Sequence, residues 1–335
     1  MELLVLSAVD VHAVLSYADC VPAMRDALTA LASGRAQQPL RTVFRPDGAA
    51  GLVGLMPAYL AEDGGAAAYG LKALCITPAN PAAGLDTHQG VVLLSDGRTG
   101  EPIAFLNASA VTEIRTAAVS VIATELLARP AAATLAVIGS GVQARAHILG
   151  LDQARQITEI RVASRDPESA DRLAASLRAQ TKASVRACPS PREAVTGADI
   201  IVTATSSATP VLDRDWIAPG THVNAVGACV PRARELDTAT VAAAALFADR
   251  RDSLLAESGD YRLAAADGAV GPERIRGELG EVLLGTAPGR LTADEITVFE
   301  SLGLAVEDLA AAALAYRKAS EARAAGGTVG TLVEF

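Results

Sequence analysis

Apolar and polar positions along the chain fall into two rhythms. Up to about residue 115, short strand-like runs are mixed with helices. "MELLVLSAVDVHAVL" predicts a strand followed by a helix start, and "YADCVPAMRDALTALASG" predicts a helix stopped at Gly34. "QGVVLLSDGRTGEPIAFLN" holds two apolar runs joined by a turn sequence, the pattern of a hairpin. "AVTEIRTAAVSVIATELLARP" predicts a long helix ended by Pro130. From residue 133 the order becomes strand, glycine-rich turn, helix. "ATLAVIG", "EIRVAS", "ADIIVTAT", "THVNAVG" and "ALFADR" are the strands; "VQARAHILGLDQAR" and "DPESADRLAASLRAQ" are helices, the second with Asp166 as N-cap. Strands alternating with helices predict a parallel, doubly wound α/β sheet. The tail, from "DEITVFESLG" to "EARAAGG", is expected to form one or two helices that return to the first domain.

One run breaks its own pattern. "AAAYGLKALCI", residues 66–76, is apolar or small throughout except for Lys72. With period two, Tyr69, Leu71, Ala73 and Cys75 face one way, and Gly70, Lys72, Leu74 and Ile76 the other. Neither face is patterned for solvent. A lysine there either snorkels to the surface or carries a function, because an unpaired buried ammonium is costly.

Composition narrows the classes. Half of the 335 residues are hydrophobic but only 3% are aromatic, so alanine does much of the filling. The formal charge of −9, with no dense Lys/Arg block, argues against nucleic acid as a partner. No apolar run reaches the length of a membrane span, and the N-terminus lacks the basic region of a signal peptide. The four cysteines form no CxxC pair and the four histidines no metal spacing, so a cytoplasmic protein without a structural metal is expected.

"VIGSGVQARAH" places Gly139, Gly141 and Ala144 in a GxGxxA pattern between a strand and a helix, the context of a dinucleotide site. Val142 and Gln143 open that helix and join the candidate cofactor contacts, as does Thr205 after a later strand. The second strand ends in Ser164 and Arg165 where an NAD-selecting carboxylate would stand. A hydroxyl and a guanidinium suit a ribose 2′-phosphate, so NADP(H) is expected to be preferred over NAD(H).

Several stretches together resemble the ornithine cyclodeaminase/mu-crystallin family: "QQPLRTVFRPDG", "MPAYL", "GLKALCITPANPAAGLDTHQG", "VTEIRTAAVSVIATELLAR", "VIGSGVQARAH", "NAVGACVPRARELD" and "ITVFESLGLAVEDLAAAA". The resemblance implies a Rossmann domain over residues 119–304. It also implies a mixed α+β substrate and dimerisation domain built from residues 1–118 and 305–335. It further implies a homodimer and an NAD(P)-dependent enzyme acting on a small imino or amino acid. By match, Arg41 grips the substrate carboxylate, Lys72 is the active-site lysine, and Arg115 reaches carboxylate and cofactor, with Thr116 following on the same helix start. Thr87 and the segment Val226, Gly227, Ala228 and Cys229 match cofactor contacts, and Ser301 and Leu302 match a loop over the substrate.

The activity so implied is NADPH-dependent reduction of cyclic 2-imino acids, Δ1-pyrroline-2-carboxylate or Δ1-piperideine-2-carboxylate, to L-proline or L-pipecolate. An amino-acid dehydrogenase of the alanine or N-alkyl type is the alternative, and a non-catalytic NADPH-binding protein a third. Ornithine cyclodeamination is disfavoured, because Cys229 stands where the cyclodeaminases carry an aspartate. His88 is expected to be structural, and His147 to pack or lie at the surface.

Overall fold

The computed structural model describes residues 2–61 and 67–334. Ala66, the first residue of the lysine-bearing run, lies outside them. The chain divides into two compact units, residues 1–115 with 304–335, and residues 116–303. The division falls within the helix Ala108–Leu127, between Arg115 and Thr116.

In the first unit an eight-stranded, mostly antiparallel sheet runs in the order Thr331–Glu334, Glu2–Leu6, Pro102–Asn107, His88–Asp96, Ala68–Ile76, Leu52–Leu60 and Ala36–Gln37. Thr42–Phe44 also pairs with Leu52–Leu60. The expected hairpin forms, with Pro102–Asn107 antiparallel to His88–Asp96. Register places Met56 opposite Lys72 and Lys72 opposite Val92, and all three are buried. The helix Ala305–Ala324 lies over this face and is itself held by the helix Tyr17–Ala32. Leu309 comes so close to Gly70 that an added Cβ would meet its Cδ1 at 2.7 Å. A glycine in this strand is what lets the helix approach. The opposite face of the sheet, with Phe44, Leu55, Tyr69 and Val91, stays exposed.

The second unit is a Rossmann-type, doubly wound sheet of eight parallel strands. Their order is Ser184–Ala187, Glu159–Ala163, Thr134–Ile138, Ile200–Thr203, His222–Ala225, Thr297–Glu300, Ala245–Ala248 and Ile275–Glu278. Strand order reverses between Thr134–Ile138 and Ile200–Thr203, the switch point where ligands enter such sheets. The expected strands of this half form, and Asp166 caps its helix by accepting from the Glu168 N–H.

The tail corrects the expectation of helix throughout. "ITVFE" is a strand, Thr297–Glu300, fully buried between His222–Ala225 and Ala245–Ala248. A run this short carries no period that separates a central strand from a buried helix turn. Only from Ala305 does the tail turn helical, and Thr331–Glu334 then pairs antiparallel with Glu2–Leu6.

Candidate active site

In the first unit the site starts from Lys72. It does not snorkel: its side chain is 3% exposed and its Nζ stands 2.6 Å from Asp308 Oδ2. Nζ also donates to Thr112 Oγ1 at 3.4 Å. The other Asp308 oxygen accepts from Arg115 Nε at 2.9 Å, and an Arg115 terminal nitrogen donates to Glu307 Oε2 at 2.8 Å. Both acids sit in the first turn of the helix Ala305–Ala324, where its dipole favours negative charge. Glu307 Oε2 also accepts the Leu304 N–H at 3.1 Å, closing that helix end. Two cations and two carboxylates thus share a buried cluster.

The electrostatics follow from that arrangement. Burial pushes the Lys72 ammonium down to about 8; Asp308 pulls it back up, while Arg115 and Arg41 add to the fall. Asp308 is held below the usual carboxylate range, because Arg115 and Lys72 outweigh its burial. Glu307 is raised, chiefly by burial. Arg41 is half-buried just before the strand Thr42–Phe44, and its charge is felt at Lys72. Lys72, Arg41 and Arg115 are therefore brought together in one unit. Arg115 and Thr116 are not at the helix start, as expected from the sequence, but about two turns inside it, since the helix begins at Ala108. Asn107 accounts for the earlier start: its side chain accepts the Ala110 N–H at 3.0 Å. Thr87 is half-buried ahead of the strand His88–Asp96, and its carbonyl accepts from the Thr77 N–H.

Asp308 and Glu307 were not singled out by sequence reasoning. The available signal was an acid pair in the alanine-rich run "AVEDLAAAALAY", the counterpart of one lysine in an apolar strand. Buried charges come in opposite pairs.

In the second unit Gly139 takes φ +128°, and a Cβ there would meet the Ala204 carbonyl oxygen at 2.4 Å. Gly141 begins the helix Val142–Ala154 without a side-chain cap, and a Cβ at Gly141 would meet nothing within 4 Å. First-turn N–H groups without a side-chain cap suit a diphosphate. Val142 is exposed and Gln143 half-buried at that helix start, while Ala144 is buried against the sheet. Ser140 and Ser164 Oγ atoms lie 3.0 Å apart, and Arg165 is exposed beside them at the end of its strand. His147 is buried between Ser120 Oγ at 2.8 Å and the Gln143 carbonyl at 2.7 Å, a packing role.

The ends of the next strands gather a second group. Thr205 follows Ile200–Thr203, and Val226, Gly227, Ala228 and Cys229 follow His222–Ala225. Cys229 Sγ donates to the Val226 carbonyl at 3.0 Å. Ser301 and Leu302, both buried, follow Thr297–Glu300, and the Ser301 N–H donates to the Ala225 carbonyl at 2.9 Å. Among the described residues no three His, Cys, Asp or Glu side chains gather as a metal site. No helix there is long and apolar enough to cross a membrane.

Residues 1–323 match the family described as ornithine cyclodeaminase/mu-crystallin. The ketimine reductase mu-crystallin of Mus musculus is 40% identical over 283 residues, 84% of this chain and 85% of that protein. The Thermococcus litoralis Δ1-pyrroline-2-carboxylate reductase, solved with NADH and L-proline, superposes with a TM-score of 0.92 at 36% identity, covering 98% of this chain and 99% of that one. An archaeal alanine dehydrogenase dimer with bound NAD superposes with a TM-score of 0.92 at 31% identity over 100% of both chains.

Proposed function

The chain belongs to the ornithine cyclodeaminase/mu-crystallin family, and from that premise we propose that it reduces cyclic 2-imino acids with NADPH. The protein is an NAD(P)H-dependent oxidoreductase acting on a C=N bond. The substrates we assign are Δ1-pyrroline-2-carboxylate and Δ1-piperideine-2-carboxylate, with L-proline and L-pipecolate as products. The observation that carries the reading is the buried Lys72 ammonium, 2.6 Å from Asp308 and beside two arginines.

A 2-imino acid sets a planar carboxylate next to the reacting carbon. Arg41 binds that carboxylate, with the planar fork such recognition needs. Arg115 has its Nε and one terminal nitrogen committed to Asp308 and Glu307, so it contributes charge and holds those acids in place. Lys72 gives a proton to the imine nitrogen. Asp308 keeps the lysine charged near neutral pH despite its burial and fixes its direction. Ser301 and Leu302 are the residues we assign to the substrate loop. Gly139, Gly141, Val142 and Gln143 hold the cofactor diphosphate, and Ser164 with Arg165 holds the 2′-phosphate. Thr87, Thr116, Thr205 and Val226 to Cys229 line the remainder of the cofactor. When bound, the reduced nicotinamide supplies the hydride.

Cys229 contributes no carboxylate, which keeps ornithine cyclodeamination outside this reading. The exposed apolar sheet face of the first unit, and the dimer formed by the archaeal alanine dehydrogenase, support a homodimer. The test is a panel of cyclic imino acids and of pyruvate with ammonia or alkylamines, each with NADPH and NADH and followed by cofactor absorbance, together with ornithine and the oxidised cofactor, followed by ammonia release. Cyclic imino acids should give the highest kcat/KM, and NADPH should lead NADH by about tenfold or more, a charge-assisted contact's worth. Arg165→Ala should remove most of that lead. Equal rates with both cofactors would refute the 2′-phosphate assignment, and faster turnover of pyruvate with amine would make the protein an amino-acid dehydrogenase.

A further inference from the structure

The two turns proposed above to line the cofactor beyond its diphosphate share one direct backbone bond, from the Val226 N–H to the Thr203 carbonyl at 2.9 Å. They are joined again by one buried acid that the mechanism above does not use. Glu235 is 0% exposed. Its Oε1 accepts the Thr205 N–H at 2.6 Å. Its Oε2 accepts the Gly227 N–H at 2.7 Å and the Thr203 hydroxyl at 2.8 Å. These three donors come from the C-terminal ends of two adjacent parallel strands, Ile200–Thr203 and His222–Ala225, and from the turns that follow them.

The acid is itself braced. The Glu235 and Leu236 N–H groups both donate to Asp260 Oδ1, at 2.7 and 2.9 Å. The Glu235 carbonyl accepts from Val211 and Leu212. Space around it is tight: a Cβ at Gly227 would meet the Thr205 carbonyl oxygen at 2.1 Å and Glu235 Oε1 at 2.7 Å. The glycine is thus required for the acid to reach both turns. Two N–H groups and a hydroxyl converge on two oxygens, which is how a carboxylate without a cation is satisfied in a protein interior.

We infer that Glu235 is a positioning residue that locks the Thr205 and Gly227 turns together and so sets the floor on which the nicotinamide half of the cofactor rests. The inference builds on the cofactor assignment proposed above. It makes a selective claim. The diphosphate and ribose contacts at Gly141, Ser164 and Arg165 lie on other elements. Removing the acid's second acceptor oxygen should therefore weaken the whole cofactor but spare a cofactor truncated at its nicotinamide.

The experiment measures dissociation constants of the full-length wild type and Glu235→Gln, by calorimetry or fluorescence. The ligands are the reduced cofactor and its fragment lacking the nicotinamide, 2′-phospho-ADP-ribose or ADP-ribose according to which cofactor binds. Glu235→Gln should bind the whole cofactor about tenfold or more weakly, since the amide nitrogen that replaces one oxygen opposes a backbone N–H donor and that bond is lost. The fragment should bind within about twofold of wild type. Thr203→Val, which removes one donor and keeps the acid, should show the same selectivity to a smaller degree and serves if the glutamine variant does not fold. Equal weakening of cofactor and fragment would mean that Glu235 only supports the fold, and unchanged binding of both would mean it positions nothing; either overturns the inference. Wild type that binds neither ligand would instead overturn the cofactor assignment beneath it.

Discussion

Lys72 shows how much of this protein turns on single side chains. An ammonium on a sheet face covered by a helix survives only because Asp308 meets it at 2.6 Å and shares its second oxygen with Arg115. The balance leaves Lys72 protonated below about 8, and the protonated form is the one that can give a proton to the imine. Its pKa is lowered from the usual lysine value, so the active form is lost as pH rises through about 8. kcat/KM for imine reduction should therefore be flat toward neutrality and fall above that point. Lys72→Met should lower kcat by about 10² or more and abolish the alkaline limb, while Asp308 keeps Arg115 as partner and the fold persists. Steady-state kinetics across pH checks both; near-normal kcat in the methionine variant would remove the lysine from proton transfer. The lysine itself was legible as an anomaly in an apolar strand. Asp308 was not, because its partner is 236 positions away in sequence and an acid near a helix start looks like an ordinary capping residue.

The elements divide by how local their signals are. The glycine turn, the hairpin and the Asp166 cap were legible because turn chemistry is written within a few residues. The strand Thr297–Glu300 was not, since its burial on both faces comes from neighbours distant in sequence. The pairing of the strand Ala68–Ile76 with the helix Ala305–Ala324 is likewise non-local, and Gly70 is where it becomes testable. A side chain at Gly70 points at Leu309, the residue after Asp308, and Leu309 is only 1% exposed. Gly70→Val should force the helix away from the strand, costing about 1–3 kcal/mol in urea unfolding as overpacking does. It should also lower kcat, because the same displacement carries Asp308 from Lys72. Unchanged stability would show that Leu309 yields by changing rotamer and that the helix position is not set at this contact.

At the scale of the whole molecule, the strand that opened the question poses it again. Its sequence is apolar on both faces, yet a single chain covers only one of them. Met56, Lys72 and Val92 lie under the helix Ala305–Ala324, whereas register sets Leu55 beside Ala73 and Val91, and Phe44 beside Val53 and Cys75, on the outer face. There Phe44 is 63% and Tyr69 50% exposed, and the Tyr59 and Tyr69 rings meet at a tilt of 42° with centroids 4.9 Å apart. A contiguous apolar sheet face of this kind marks an interface in a soluble protein. A period of two cannot make one face of a strand apolar for a core and the other apolar for water. The pattern is satisfied if a second copy covers the outer face, as an isologous dimer would. Light scattering should then give twice the 34.2 kDa chain mass. Placing charge at two positions of this face, Tyr69→Glu with Val91→Lys, should shift the mass toward the monomer as the protein is diluted. The same variant should lose activity in parallel with the dimer, because the strand that loses its outer cover is the strand that presents Lys72. A wild-type chain that stays monomeric at micromolar concentration, or a charged variant that stays dimeric, would mean that something other than this face satisfies the pattern.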